Sequence, residues 1–334
     1  YASYAEVPLP RKFPAAARHS AGGLKAFTVG YPGRPGCDER AQAASLAGRL
    51  GMEHFSAELD ISGLTGAFPD QVCAMDDPIA DVAAYGYYSV CRLARSRGVP
   101  VLLFGFGGDE LFWGYRWARE SLKRNFLKKK IRGGAGFSGL PVSDVTEIFS
   151  RADKRAMFSK PLASAALISA ELRTLSRKYT EDPDRMILWD ENQDFRAAFA
   201  FKRGLYEDNF AAGVNEADLF ESFTTSDWDS VPLNTCRFLL APWNVSNAVP
   251  LGDRLGMASS VENRLPFLDY KFMELVMGLR KTYQNDYKLG AKGWFRQAMR
   301  GLMPEDVLAR PKTGFTPPRE EWLKALATRY GGLC

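Results

Sequence analysis

Leu103-Phe104-Gly105-Phe106-Gly107-Gly108-Asp109-Glu110-Leu111-Phe112-Trp113-Gly114-Tyr115 is the stretch on which the reading of the fold turns. The short apolar run 101–104 predicts a strand, and it leads straight into three glycines. Glycine lets backbone approach a ligand closely and leaves N–H groups free to face phosphate oxygens. In open parallel sheets, ligands bind at this carboxyl edge of the strands. Asp109 and Glu110 follow at once. Such carboxylates can hold Mg²⁺, which takes one or two of them together with phosphate oxygens.

Working outward, residues 24–30 (LKAFTVG) form a β-branched apolar run ended by the turn YPGRPG, which predicts a buried strand. A helix follows, with Asp38 as its expected N-cap and Ala41, Ala44, Leu46 and Leu50 at helical spacing until Gly51. Strand 53–59, helix 83–97 (stopped by Gly98 and Pro100) and strand 101–104 complete the series. This alternation predicts an α/β fold with a doubly wound parallel sheet, joined by right-handed crossovers, over residues 15–115. Residues 1–14, with Pro8, Pro10 and Pro14, read as an extended connector. Residues 116–334 read as a largely helical remainder. Arg116 to Arg132 carry eight basic residues and one acid, Glu120. That run is expected to be a solvated helix face, with docking of an acidic or phosphorylated partner as the functional alternative. Gly133, Gly134 and Gly136 mark a loop.

The composition narrows the chemistry. The 334 residues are 46% hydrophobic and 25% charged, with a net charge of +5. That excess is too small to argue for nucleic acid, and no apolar run is long enough to span a bilayer. Cys37, Cys73, Cys91, Cys236 and Cys334 are scattered, which fits reduced thiols and a cytoplasmic setting. His19 and His54 are the only histidines, so zinc sites and Ser–His–Asp hydrolysis have few candidates. Carboxylates, lysines and backbone must carry the reaction.

At GGDELFWGY the chain is similar to the GGDELFGGY stretch of the asparagine synthetase group, whose synthetase domain has the ATP-pyrophosphatase fold. Phe27 to Tyr31 with Asp38 and Glu39, and Asp77-Pro78-Ile79-Ala80-Asp81, resemble further family segments. So do the blocks Asp253 to Ala258 and Glu262 to Asp269, Lys292 to Ala298, and Arg310 to Phe315. The resemblance implies adenylation of a carboxylate by ATP, with Mg²⁺, and transfer to ammonia from a glutaminase domain or subunit. Val29, Phe104, Gly105, Gly107 and Gly108 would bind ATP, and Asp109 and Glu110 the metal. Lys292 would be catalytic, offsetting charge that grows in a water-poor cleft. Phe106, Asp81, Glu262 and Arg264 would line the substrate pocket. Glu262, Arg264 and Asp269 read equally as an internal ion-pair network. The partners implied are a small-molecule or peptide carboxylate and an ammonia source, with no nucleic acid and no membrane; a homodimer stays open.

Two departures stand out. The family's SGGxDS loop is missing ahead of residue 24, and residues 15–20 look like the end of the helix that would follow it. The expectation is that the loop-bearing residues belong between Pro14 and Ala15 in the whole protein, and that residues 1–14 lead from a glutaminase-like domain. Phe106 stands where the family carries Asp or Glu, and Phe104 where serine is common. Phenylalanine cannot pair with a substrate ammonium, which predicts a larger or less polar acid than aspartate. The rival functions are intramolecular amide or lactam closure and a non-catalytic ATP-binding relative.

Overall fold

The computed structural model describes residues 23–31, 33, 36, 38–76, 81–131, 133, 184–188, 227–311 and 317–331. The expected connector 1–14, the helix end 15–20, residues Asp77, Pro78, Ile79 and Ala80, the glycines 134 and 136, and Lys312 to Phe315 lie outside them. In chain order the elements begin with β1 (Lys25–Gly30), α1 (Arg40–Arg49), β2 (Glu53–Glu58), α2 (Ile61–Met75), α3 (Ala84–Ser96), β3 (Val101–Leu103), α4 (Gly108–Leu111) and α5 (Arg116–Lys130). After residue 230 come α6 (Val231–Phe238), α7 (Val249–Ala258), β4 (Glu262–Arg264), α8 (Tyr270–Thr282), α9 (Gly293–Ala298), α10 (Glu305–Leu308) and α11 (Arg319–Tyr330). Among the described residues no helix is long and apolar enough to cross a membrane.

The chain divides into two compact units. The first takes Tyr1–Gly108, Ala241–Met273 and Trp294–Cys334; the second takes Asp109–Leu240 and Glu274–Gly293.

In the first unit β1 and β2 pair in parallel, Lys25 opposite Glu53 through Gly30 opposite Glu58, with α1 as the crossover. Asp38 sits one residue before the cap position but still serves the helix start. It accepts the Arg40 N–H at 3.0 Å and pairs with the Arg40 guanidinium at 2.7 Å. β3 pairs in parallel with β4, Val101 opposite Glu262 through Leu103 opposite Arg264. The one parallel sheet expected from the alternation is therefore represented, among the described residues, by two separate parallel pairs. β4 escaped the sequence reading because Glu-Asn-Arg carries no apolar run. Its alternation turns Asn263 inward, where its amide donates to the Gly252 carbonyl at 2.5 Å, while Glu262 and Arg264 face out.

Helix α2 was also not read from the sequence, since Gly63, Gly66 and Pro69 interrupt it. Asp60 caps it by accepting the Gly63 N–H at 2.7 Å. Pro69 has no N–H to offer the carbonyl one turn back. That carbonyl belongs to Thr65, and it is satisfied instead by the Tyr330 hydroxyl of α11 at 2.6 Å. The same helices close the main apolar core, in which Tyr31, Leu59, Leu64, Tyr85 and Trp322 are buried together.

In the second unit α5 corrects the picture of a solvated basic face. Arg124 and Lys128 are buried, at 5% and 1% exposure, alongside Ala118, Leu122 and Leu127. Lys128 donates to the Arg185 carbonyl at 2.6 Å. Asn125 exchanges two hydrogen bonds with the backbone of Ile187, donating at 2.7 Å and accepting at 2.8 Å. These polar groups take up backbone that would otherwise be buried without partners. Arg116, Lys123 and Lys130 remain outward.

Candidate active site

The unit boundary falls inside the quoted glycine stretch, after Gly108. Its first half belongs to a cleft of the first unit, about 780 Å³ in volume, lined among others by Thr28, Val29, Tyr87, Val90, Phe104 and Gly105. That is the size of a small-molecule site. Val29 is buried at the end of β1, with the strand backbone along the cleft. Phe104 continues the β3–β4 ladder by donating its N–H to the Arg264 carbonyl at 2.9 Å. Gly107 has φ +90°, and a β-carbon there would press on Leu268 and Phe267 at 2.5 and 3.1 Å, so only glycine fits the turn.

Phe106 does not point alone into space. Its ring lies 5.2 Å from Tyr87, edge to face, and 5.3 Å from Phe104, and it packs over Gly252 closely enough to exclude a β-carbon. Tyr87, Phe104 and Phe106 form an aromatic cluster beside the cleft. Asp81 accepts the Ala83 N–H at 2.9 Å and the Asn247 amide at 3.5 Å, serving the start of α3.

Glu262 and Arg264 pair with each other at 2.8 Å, at 57% and 61% side-chain exposure, so the internal network expected as one reading does not form. The Arg264 guanidinium holds the Glu262 carboxyl below its ordinary value. Asp269 accepts the N–H groups of Lys271 and Phe272, at 3.0 and 3.2 Å, as the cap of α8.

The second half of the stretch belongs to the second unit. The Asp109 carboxylate meets the Lys292 ammonium at 3.1 Å, with 21% and 29% of the two side chains exposed. A side chain at Gly114 would collide with that carboxylate, and the Gly114 N–H binds the Asp109 carbonyl at 2.8 Å. Glu110 does not accompany Asp109. It is 2% exposed and accepts the Tyr115 hydroxyl at 2.6 Å, inside the unit. Among the described residues no three His, Cys, Asp or Glu side chains converge as a ready-made cation cage. Lys292 has φ +54°, a left-handed conformation that costs a side-chain-bearing residue about 1 kcal/mol or more. Its N–H is held by the Phe112 carbonyl at 2.8 Å.

Three residues of this region were given no role from the sequence. Trp113, also left-handed at φ +59°, donates its indole N–H to Asp286 at 2.8 Å, and Asp286 pairs with Arg280 at 2.6 Å. Arg280 interrupts the apolar pattern of α8, which is the one hint the sequence offered.

The family model described as asparagine synthase matches residues 14–332. The glutamine-hydrolysing asparagine synthetase 1 of Bacillus subtilis is 27% identical over 305 residues, 90% of this chain and 43% of that protein. A putative glutamine-hydrolysing asparagine synthetase of Mycobacterium tuberculosis is 28% identical over 307 residues, 90% of this chain and 42% of its own. Amidase chyE of Penicillium rubens is 22% identical over 312 residues, again 90% of this chain and 44% of its own. The chain spans less than half the length of these relatives.

Proposed function

The chain belongs to the asparagine synthase family, and on that premise we propose that it is the ATP-dependent part of an amide-forming ligase built on the ATP-pyrophosphatase type of fold. In this reading a carboxylate oxygen attacks the α-phosphorus of ATP, the bond to the β-phosphate bridging oxygen breaks, and pyrophosphate leaves. A nitrogen nucleophile then attacks the acyl carbon, AMP departs with the bonding electrons, and the nitrogen loses one proton to solvent to leave the neutral amide. Ammonia from a glutaminase domain or subunit is the proposed donor, as the names of the relatives suggest.

The ion pair of Lys292 with Asp109 carries this reading. A cation fixed where negative charge grows lowers the barrier without reorganising. The partly open Asp109 carboxylate suits a single-carboxylate share of Mg²⁺, which would screen the phosphate oxygens. Glu110 has its carboxylate engaged with Tyr115, so Asp109 is the better metal candidate. The cleft lined by Val29, Phe104 and Gly105 suits the adenosine moiety. The aromatic cluster of Tyr87, Phe104 and Phe106 favours an acid with an apolar or aromatic body over aspartate. The unbridged Cys73, Cys91 and Cys236 suit a reducing compartment, the cytoplasm in this proposal.

The test is pyrophosphate exchange into ATP with a panel of carboxylic acids, with amide formation followed with and without ammonium. Lys292→Ala is expected to lower turnover roughly 100- to 1000-fold with an unchanged melting profile. Turnover equal to that of the parent removes the assignment. Product that forms without ammonium would favour ring closure on the substrate's own amine.

A further inference from the structure

We propose that Trp113, Asp286 and Arg280 form a buried positioning device that sets the direction of Lys292 and Asp109. The inference rests on the role proposed above for Lys292, but its geometry lies entirely within the second unit.

Arg280 has no exposed surface and Asp286 only 4%. The guanidinium does four things at once. It pairs with Asp286 at 2.6 Å, donates to the Leu111 carbonyl at 2.6 Å, donates to the Cys236 sulfur at 3.2 Å, and lies 4.5 Å from the centre of the Trp113 ring. Burial pushes the Cys236 thiol up to about 11, so this neighbour accepts from the guanidinium as a neutral thiol and not as a second anion. The Asp286 carboxylate takes the Trp113 indole N–H as well. Both ends of the Lys292–Asp109 pair are tied to this knot through backbone. On one side, residues 111–114 carry the carbonyls of Leu111 and Phe112 and the Gly114 N–H that binds Asp109. On the other, Asp286 opens the short helix Asp286–Leu289, after which Gly290 at φ +83° turns the chain into Lys292.

Among the described residues of this unit, the two side-chain-bearing ones held left-handed, Trp113 and Lys292, thus sit at the two attachment points. Strained backbone persists only where its surroundings over-determine it. A buried ion pair whose carboxylate also accepts the Trp113 indole supplies that constraint, and it is a poor choice if bulk stability were all that was needed.

The experiment reads Lys292 directly and needs no knowledge of the acid. The intact chain is labelled with N-hydroxysulfosuccinimidyl acetate, and the acetylation rate of Lys292 is followed by peptide mass spectrometry against exposed Lys123. Asp109→Asn sets the ceiling for a released lysine, expected roughly two- to fivefold above the parent, the scale of a partly exposed ion pair. Trp113→Phe removes the indole donor and part of the ring under the guanidinium, and Asp286→Asn removes the charge. Both should bring Lys292 toward that ceiling, whereas Trp322→Phe, in the other unit, should not. Lys292 rates unchanged in folded Trp113→Phe overturn the proposal, and this variant decides alone if Asp286→Asn does not fold. Labelling that shifts while Lys292→Ala keeps full turnover leaves the positioning intact and removes the ligase reading. Loss of turnover in Lys292→Ala without any labelling shift does the opposite. Where an accepted acid is in hand, Trp113→Phe should lower kcat with little change in KM for ATP.

Discussion

Two tryptophans, each 1% exposed, are the anchors of the two units, and they are held in opposite ways. Trp322 meets Tyr31 and Tyr85 edge to face at 5.7 and 5.5 Å and is otherwise surrounded by Leu64, Leu326 and other apolar groups. Trp113 is gripped through its one polar atom and through a cation over its face. Apolar burial is roughly proportional to area and indifferent to direction. A charged cluster is directional, and removing one member strands the others. The first arrangement suits a core that supports a cleft. The second suits a turn whose side chains must point one way.

The strongest way to break this contrast is Arg280→Ala. It should cost about 3–5 kcal/mol, since Asp286 is left charged and buried, measured from the urea midpoint. A cost below roughly 1 kcal/mol would put Trp113 and Trp322 in the same class. The double replacement Arg280→Met with Asp286→Leu should cost less than either single change.

Trp322→Phe comes next, at roughly 1–2 kcal/mol, because the smaller ring leaves a partial void but no orphaned polar group. A loss as large as that of Arg280→Ala would reveal a dependence on direction in the apolar core.

The smallest effect belongs to the Asp38–Arg40 ion pair of the first unit. The Asp38 carboxyl is held below its ordinary value, chiefly by the Arg40 side chain. Its contribution is present above the unfolded carboxylate range and is lost as pH falls through the lower folded value. Asp38→Asn should therefore be slightly less stable at neutral pH, and the gap to the parent should close on acidification. A gap that widened in acid would reverse the sign.

How much was legible follows from the same contrast. β1 and β3 were readable as apolar runs, α1 and α3 by helical spacing with clear stops at Gly51 and Gly98, and β2 by its place in the alternation. The glycine turn, Asp109 and Lys292 were readable as motif residues, and Phe106 as a departure. The pairing of β3 with β4 was not, because a three-residue strand of polar residues has no pattern to detect. Nor was the partnership of Trp113 with Asp286, which lie 173 positions apart and look in sequence like an ordinary aromatic and an ordinary acid. Arg124 and Lys128 were misjudged because long basic side chains bury their stems, and sometimes their heads, when a carbonyl is near.

The bond from Tyr330 to the Thr65 carbonyl carries a further consequence for how the chain is made. Because Pro69 leaves that carbonyl without its helical donor, α2 waits for a hydroxyl encoded 265 positions later. On the ribosome, the first-unit core around Leu64 and Tyr85 stays incomplete until α11 has emerged, so an early segment depends on a late one for its last hydrogen bond.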